Sequence, residues 1–311
     1  MVLFITGKCT RNCWYCPLSS ERRGHDAVYA NETQVVSPGE AVEAAKKMQA
    51  EGTGITGGEP MVCLDRVISF AGRLKHEFGE SHHIHLYTGE APGAAELKKL
   101  EGFVDEIRMH PPVEAWAGIS GTAYRDAAVL AREMGFSCGF EVPALPEVAV
   151  LLPALEFLDF LTINELEWGE TNAGEMRRRG LVPDDLTGNA VRRSRAWAAG
   201  ISRHPKVYFC RSRDKDSVQL RRRLIRTART TARSFEEITA DGTVIYGRIE
   251  GTVKVPPGVR ALGEKMYEVR DGGIETASWV LFEQGQAVGG ERSIIERYPD
   301  RGIVVEVTPL P

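Results

Sequence analysis

"GKCTRNCWYCPLSS", residues 7–20, places Cys9, Cys13 and Cys16 within eight positions. The whole chain has six cysteines, so half of them crowd into one short polar segment that also carries Arg11 and Asn12. The segment follows "VLFIT" (residues 2–6), an apolar run of strand length. It therefore lies on a loop at a strand's carboxyl end. Buried cysteines rarely gather in a polar loop, whereas three thiolates on one loop can converge on a single metal centre. Spacing alone leaves two metals open. A structural zinc normally takes four ligands, and His25 is the only nearby residue to supply the fourth. An iron–sulfur cube also usually takes four cysteines, so three leave one iron open to a chelating substrate or cosubstrate.

Working outward, 311 residues suffice for one large domain and a smaller one. With 42% hydrophobic and 26% charged residues the composition is that of a globular protein, and no apolar run approaches a membrane span. The N-terminal "MVLFITG" lacks a basic region and a cleavage site, so it reads as a first β-strand and not a signal peptide. The expectation is a cytoplasmic protein without membrane contact. Six cysteines in a chain this long do not make a disulfide scaffold, which favours a reducing compartment and a metal or redox role.

To about residue 210 the chain alternates strand-like and helical stretches. The strands are "VLFIT", "GTGITGG", "HIHLYT", "EIRMHP", "SCGFEVPA", "FLTINEL" and "KVYFC". Between them, "SPGEAVEAAKKMQAEG" starts with Ser37 as N-cap, Pro38 at the first helical position and Glu40 in a capping box, and is closed by Gly52. "LDRVISFAGRLKHEFG" and "TAYRDAAVLAREMG" have helical spacing and end at glycine. Such alternation implies βαβ units and a parallel sheet, with ligands at the carboxyl ends of the strands. From about 234 short strands take over: "TVIYGRIE", "KMYEVR", "SWVLFEQGQAV" and "GIVVEVTPL", with turns at Asp241-Gly242 and Asp271-Gly272-Gly273. The expected division is residues 1–210, an arginine-rich helical segment 211–233, and a small β-rich domain 234–311.

Cys-x3-Cys-x-aromatic-Cys after a first strand, followed by "TGGEP" (residues 56–60) after a second, resembles the radical S-adenosylmethionine (SAM) superfamily. Within it, the chain looks most like the group related to pyruvate formate-lyase activating enzymes. The resemblance covers about residues 1–210. It implies a partial (β/α)6 barrel. It also implies a 4Fe–4S cluster on Cys9, Cys13 and Cys16, with SAM chelating the fourth iron. Tyr15 would lie against the adenine, and Gly57, Gly58, Glu59 and Pro60 would form the edge that receives the SAM amino group. The residues themselves agree, since glycines allow close backbone approach and Pro60 removes a donor. At later strand ends stand Thr88 and Glu90, Arg108 and His110, Glu141, and Asn164, Glu165 and Glu167. Thr88 is the expected SAM contact. Charged Glu141 and Glu165 inside apolar runs favour a polar cavity; with His110 they are the catalytic candidates.

Cys63 and Cys138 read as core residues. Cys210 ends a strand beside Arg211 and Arg213, which would lower its pKa; a second cluster, a thiol donor and a passive thiol all stay open. Residues 177–233 hold seventeen Lys/Arg against four Asp/Glu in a chain of net charge −4. In the helix expected from Ser217, Arg222, Arg226, Arg229 and Arg233 share one face. That face is either a solvated basic surface or a track for RNA or another large anionic substrate.

The functional expectation is an oxygen-sensitive radical SAM enzyme. Reduced by an electron donor of flavodoxin or ferredoxin type, it would cleave SAM to a 5′-deoxyadenosyl radical and take hydrogen from a substrate, RNA among the choices. The rivals are an activase that modifies a protein glycine or a peptide, and a non-catalytic iron–sulfur or zinc binding module.

Overall fold

The computed structural model describes residues 1–185, 188–283 and 290–311. The chain divides into two units: residues 1–46 with 50–215, and residues 47–49 with 216–311. Among the described residues no helix is long and apolar enough to cross a membrane.

In the first unit the chain runs β1 (Val2–Phe4), β2 (Val28–Ala30), β3 (Thr33–Val35), α1 (Pro38–Lys47), β4 (Gly52–Thr56), α2 (Leu64–Phe78) and β5 (His83–Thr88). It continues with α3 (Ala94–Leu100), β6 (Glu106–Met109), α4 (Ala123–Glu133), β7 (Ser137–Pro143), β8 (Phe160–Asn164), α5 (Ala173–Arg178), α6 (Ser194–Ala198) and β9 (Val207–Cys210). Nine strands form one sheet in the order β3-β2-β1-β4-β5-β6-β7-β8-β9. From β1 through β9 every pair on the path β1-β4-β5-β6-β7-β8-β9 is parallel, and an antiparallel β2–β3 hairpin closes one edge.

The helices form where apolar residues recur at helical spacing. α2 buries Val67, Phe70, Ala71 and Leu74 and stops at Gly79, whose φ of 78° a side chain rarely tolerates. α4 buries Tyr124, Ala127, Ala128 and Ala131. α1 begins as expected, with Ser37 Oγ accepting from the Glu40 amide at 3.3 Å. Glu40 reaches past Ser37 to the Val36 amide at 2.9 Å. The helix ends earlier than Gly52, which instead opens β4.

Period two divides the sheet into two unlike faces. Leu3, Ile55, Ile84, Leu86, Ile107 and Leu161 are fully buried on one. The other is polar: His83, His85 and Tyr87 of β5, Glu106 and Arg108 of β6, Glu141 of β7, Asn164 of β8 and Cys210 of β9, in adjacent register.

The second unit contains α7 (Arg221–Thr231), β10 (Glu237–Ile238), β11 (Val244–Glu250), α8 (Pro257–Ala261), β12 (Tyr267–Arg270), β13 (Gly273–Thr276), α9 (Ser278–Glu283), β14 (Glu291–Arg297) and β15 (Val304–Leu310). Its six-stranded antiparallel sheet runs β12-β13-β11-β14-β15, with β10 on β11. Two expectations change here. "SWVLFE" is helical, with Ser278, Val280 and Leu281 buried, and the rest of that expected strand, residues 284–288, lies outside the described residues. Arg233 leaves the expected basic face: its guanidinium pairs with Glu236 (2.7 Å), Glu268 (2.6 Å) and Glu275, and Glu236 also takes Arg297 at 2.5 Å. Three carboxylates around a half-buried arginine offset the cost of withdrawing it from water.

Leu86 is 0% exposed at the middle of the parallel sheet. Leu86→Ala is expected to destabilise the first unit by about 2–5 kcal/mol, read as a lower urea midpoint for the transition that reports the first unit's helices. An unchanged midpoint would mean that the sheet does not carry this core.

Candidate active site

The cysteine loop begins where β1 ends, and its base is held by crossing chain. The Gly7 amide donates to the His25 carbonyl at 2.7 Å, and the Gly24 amide to the Gly7 carbonyl at 2.8 Å. Thr6, Lys8 and Arg66 all bond the Asp26 carboxylate, at 3.0, 2.9 and 2.6 Å. Arg66 first, then Lys8 and Thr6, hold that carboxyl well below the usual range.

Arg11 and Asn12 tie the loop down on either side. Arg11 donates to the His110 carbonyl at 2.9 Å and to the Tyr124 hydroxyl, which in turn donates to the Gly89 carbonyl at 2.6 Å. Asn12 Oδ1 accepts from Arg23 at 2.5 Å. Between these anchors Cys9 is exposed, and Cys13 and Cys16 are half-buried. Burial pushes the thiols of Cys9 and Cys13 up.

The end of β4 lies directly on this loop. The Gly58 amide donates to the Thr6 carbonyl at 2.7 Å and the Glu59 amide to the Lys8 carbonyl at 2.8 Å. A Cβ at position 58 would meet the Lys8 and Gly7 carbonyl oxygens at 2.4 and 2.7 Å. The glycine therefore serves the approach of two backbones. Glu59 is 1% exposed and turned inward. It accepts from the Met61 amide (3.0 Å), the Thr88 hydroxyl (2.7 Å) and the Gly89 amide (2.6 Å), which joins the carboxyl ends of β4 and β5. Burial raises its pKa, and these three donors oppose the rise. Thr88 is committed to this clamp, because strand alternation puts Tyr87 on the polar face and buries Thr88.

The three catalytic candidates are also bonded internally. His110 Nδ1 lies 2.7 Å from the Glu141 carbonyl, and Nε2 lies 2.8 Å from the Tyr15 hydroxyl. A carbonyl can only accept, so Nδ1 carries the proton and Tyr15 donates to Nε2. Burial lowers the His110 pKa and keeps the ring neutral. Tyr15 is 7% exposed, with its ring at 5.3 Å from Trp14 and 5.6 Å from His110. Glu141 accepts from Arg108 and from Asn164, both at 2.7 Å, while Arg108 Nε bonds Glu106 at 2.5 Å. His110 and Glu141 are thus neighbours, whereas Glu165 serves the turn after β9 by accepting from the Ser212 amide at 2.9 Å. Cys210 differs from expectation. Its thiol is pushed up by burial and by Glu141, against the opposing charges of Lys215 and Arg108, while Arg211 pairs with Asp214 at 2.9 Å.

A clasp after β8 was not legible in the sequence. The Asn172 side chain, 1% exposed, donates to the Tyr15 and Glu167 carbonyls at 3.0 and 2.9 Å. Thr171 bonds the Leu18 carbonyl at 2.6 Å, and Gly169 sits so close to Pro17 that a Cβ would meet its carbonyl oxygen at 2.9 Å. The one available signal was "GETN", residues 169–172, at a strand's carboxyl end. In the same segment the buried indole N–H of Trp168 has no hydrogen-bond partner among the described residues.

Comparison with known proteins agrees with this architecture. The family model for the radical SAM superfamily matches residues 3–117. A domain of unknown function (DUF8061) matches residues 242–310. A protein of Methanocaldococcus jannaschii named "Putative glycyl-radical enzyme activating enzyme" is 38% identical over 266 residues, 79% of this chain and 69% of that protein. The chain belongs to the radical SAM superfamily and is an enzyme of that class, whose members use a 4Fe–4S cluster and S-adenosylmethionine. Within the superfamily it falls in the group related to pyruvate formate-lyase activating enzymes.

Two outcomes test this geometry. Gly58→Ala is expected to keep the far-ultraviolet circular dichroism of the parent while iron uptake on anaerobic reconstitution falls several-fold; full iron uptake would show that the loop does not need this approach. His82 and His110 are both held neutral by burial, so the unfolded chain binds more protons below its ordinary histidine pKa near 6.5. Their stabilising contribution is complete above that value and is lost as pH falls through the lowered folded values. The melting temperature of the cluster-free protein should drop from pH 7.5 to pH 5.5, and less so in His110→Asn.

Proposed function

We propose that this enzyme abstracts hydrogen from a protein substrate, a backbone glycine in the manner the name of its relative describes, with Cys9, Cys13 and Cys16 holding the cluster. The observation that carries the cluster assignment is the loop itself. Three thiols stand at one strand end, braced by Arg11, Asn12 and the Gly58–Glu59 backbone. A single zinc would hold its sulfurs within about 4 Å of one another. Among the described residues the group of three ligating atoms within 4.8 Å of one another lies elsewhere, so these sulfurs are spread wider. That spread suits a cluster with an open iron.

The fit to SAM rests on the same loop and its neighbours. Tyr15, oriented by neutral His110, presents the aromatic surface next to Cys16. Gly57, Gly58 and Pro60 offer a backbone edge, with Glu59 and Thr88 fixing that edge from behind. The orphan Trp168 N–H, beside the clasp on Pro17, offers a donor to a bound group. When bound, the cluster and SAM supply a 5′-deoxyadenosyl radical after one-electron reduction, which a flavodoxin- or ferredoxin-type protein would provide. The chain's own part is to orient and to exclude water and oxygen. Sequential parallel strands and a polar face support a partial barrel with that face inward, where Arg108, Glu141 and Asn164 would meet the substrate. A labile cluster and six free cysteines suit the cytoplasm.

RNA is the weaker substrate. The Arg108 charge is matched by Glu106 and Glu141, and Arg233 is enclosed by glutamates. Neither offers the unpaired positive charge that phosphates need.

The test is anaerobic. The reconstituted enzyme, with reductant and SAM, is expected to release 5′-deoxyadenosine, and Cys13→Ala to release essentially none. Supplied with protein from source cells grown on α-deuterated glycine, it should pass deuterium into 5′-deoxyadenosine. Deuterium arriving from ribose-labelled RNA, and none from the protein, would overturn the substrate; SAM cleavage undiminished in Cys13→Ala would overturn the cluster assignment.

A further inference from the structure

The stretch "SHHIH", residues 81–85, has no part in the chemistry above. β5 places His83 and His85 two residues apart, on the polar face of the sheet. β6 brings Glu106 directly opposite His85. One ligating atom from each of these three residues lies within 4.8 Å of the other two. The group stands at the amino ends of the strands, whereas the cysteine loop, Glu59 and His110 stand at the carboxyl ends. Along β5 the three residues from His85 to Thr88 span about 10 Å. We propose that His83, His85 and Glu106 form a second, separate metal site, for a divalent first-row transition ion of the zinc type.

Four features carry this assignment. His83 presents Nε2 to Glu106 Oε2 at 3.8 Å and Nδ1 to Asp105 Oδ2 at 3.9 Å. A ligating imidazole is ordinarily oriented by a carboxylate on its other nitrogen, and Asp105 stands where that partner belongs. Asp105 is itself fixed by Lys75 at 2.8 Å and by the Ile84 amide at 2.6 Å.

His85 is the second feature. Among the described residues no hydrogen bond engages either of its nitrogens.

Room is the third. On the neighbouring strand Gly52 stands opposite His83 and Gly54 opposite His85, so β4 sets no side chain against the pair and the His85 ring lies over the bare Gly54 backbone. A Cβ at position 54 would lie 2.4 Å from His85 Nε2.

Charge is the fourth. Arg108 takes Glu106 Oε1 at 2.5 Å, which leaves Oε2 for an ion, and its own charge is shared with Glu141. Two imidazoles and one carboxylate suit zinc, with a remaining position for water. An ion held there ties β5 to β6 at the end of the sheet remote from the cysteines.

The test uses the full chain with its cluster reconstituted anaerobically. It is equilibrated with zinc and desalted, then zinc and iron are counted and the zinc-edge X-ray absorption recorded. About one zinc per chain is expected, with nitrogen and oxygen neighbours and no sulfur. His83→Ala and, separately, Glu106→Gln should weaken zinc about tenfold or more and leave iron unchanged. His83 is half exposed, so its variant tests the site without opening the core. Cys13→Ala should keep its zinc, which separates failure of this inference from failure of the cluster assignment. Sulfur neighbours, zinc retained undiminished in both variants, or no zinc above a desalted blank would each overturn it.

Discussion

Everything at the carboxyl end of the sheet depends on two strand ends lying closer than side chains allow. Gly58 and Glu59 donate to the Thr6 and Lys8 carbonyls, so the start of the cysteine loop is an extra rung added to the β1–β4 ladder. Only glycine fits at 58, since a Cβ would fall inside the contact distance of two carbonyl oxygens. Glu59 then carries the alignment one strand further, to Thr88 and Gly89. A buried carboxylate is costly unless its lone pairs are filled; here three donors fill them. The loop's position is thus set by main-chain bonds and one carboxylate, before any metal is considered.

The two faces of the sheet explain where the remaining chemistry sits. One face is aliphatic and packs on helices. The other carries a chain of charge from Glu106 through Arg108 to Glu141 and Asn164. Each group meets an opposite charge or a donor, and two carboxylates on one guanidinium leave the chain with one negative charge in excess, which does not favour a phosphate backbone. The same alternation separates Tyr87 from Thr88, and it places His83 and His85 together.

Much of the architecture was legible because it is local. Strand and helix periods, the capping residues at Ser37 and Glu40, and the hairpin at Asp271-Gly272 are written within a few residues of the elements they form; Asp271 and Gly272 take φ values of 48° and 74°. "SWVLFE" was misread because a short apolar run has no period that separates strand from helix. The basic block was misread in part because charge along a sequence says nothing of partners. Glu236 is local to Arg233, but Glu268 and Glu275 reach it from β12 and β13.

The sequence by itself determined the cysteine loop, its place after the first strand and the glycine pair that meets it, since these are spacings within single segments. It also determined the superfamily, because two such segments in order are enough. Only the tertiary structure decided what each polar side chain is bonded to. His110 is neutral and serves Tyr15, Glu59 faces inward, Asn172 reaches back across the chain to the loop, and the Cys210 thiol is raised where its neighbours in sequence argued for the opposite. The physical reason is common to all of them. Protonation and hydrogen bonding depend on burial and on partners brought by other strands, and register between strands is fixed by packing across the whole sheet.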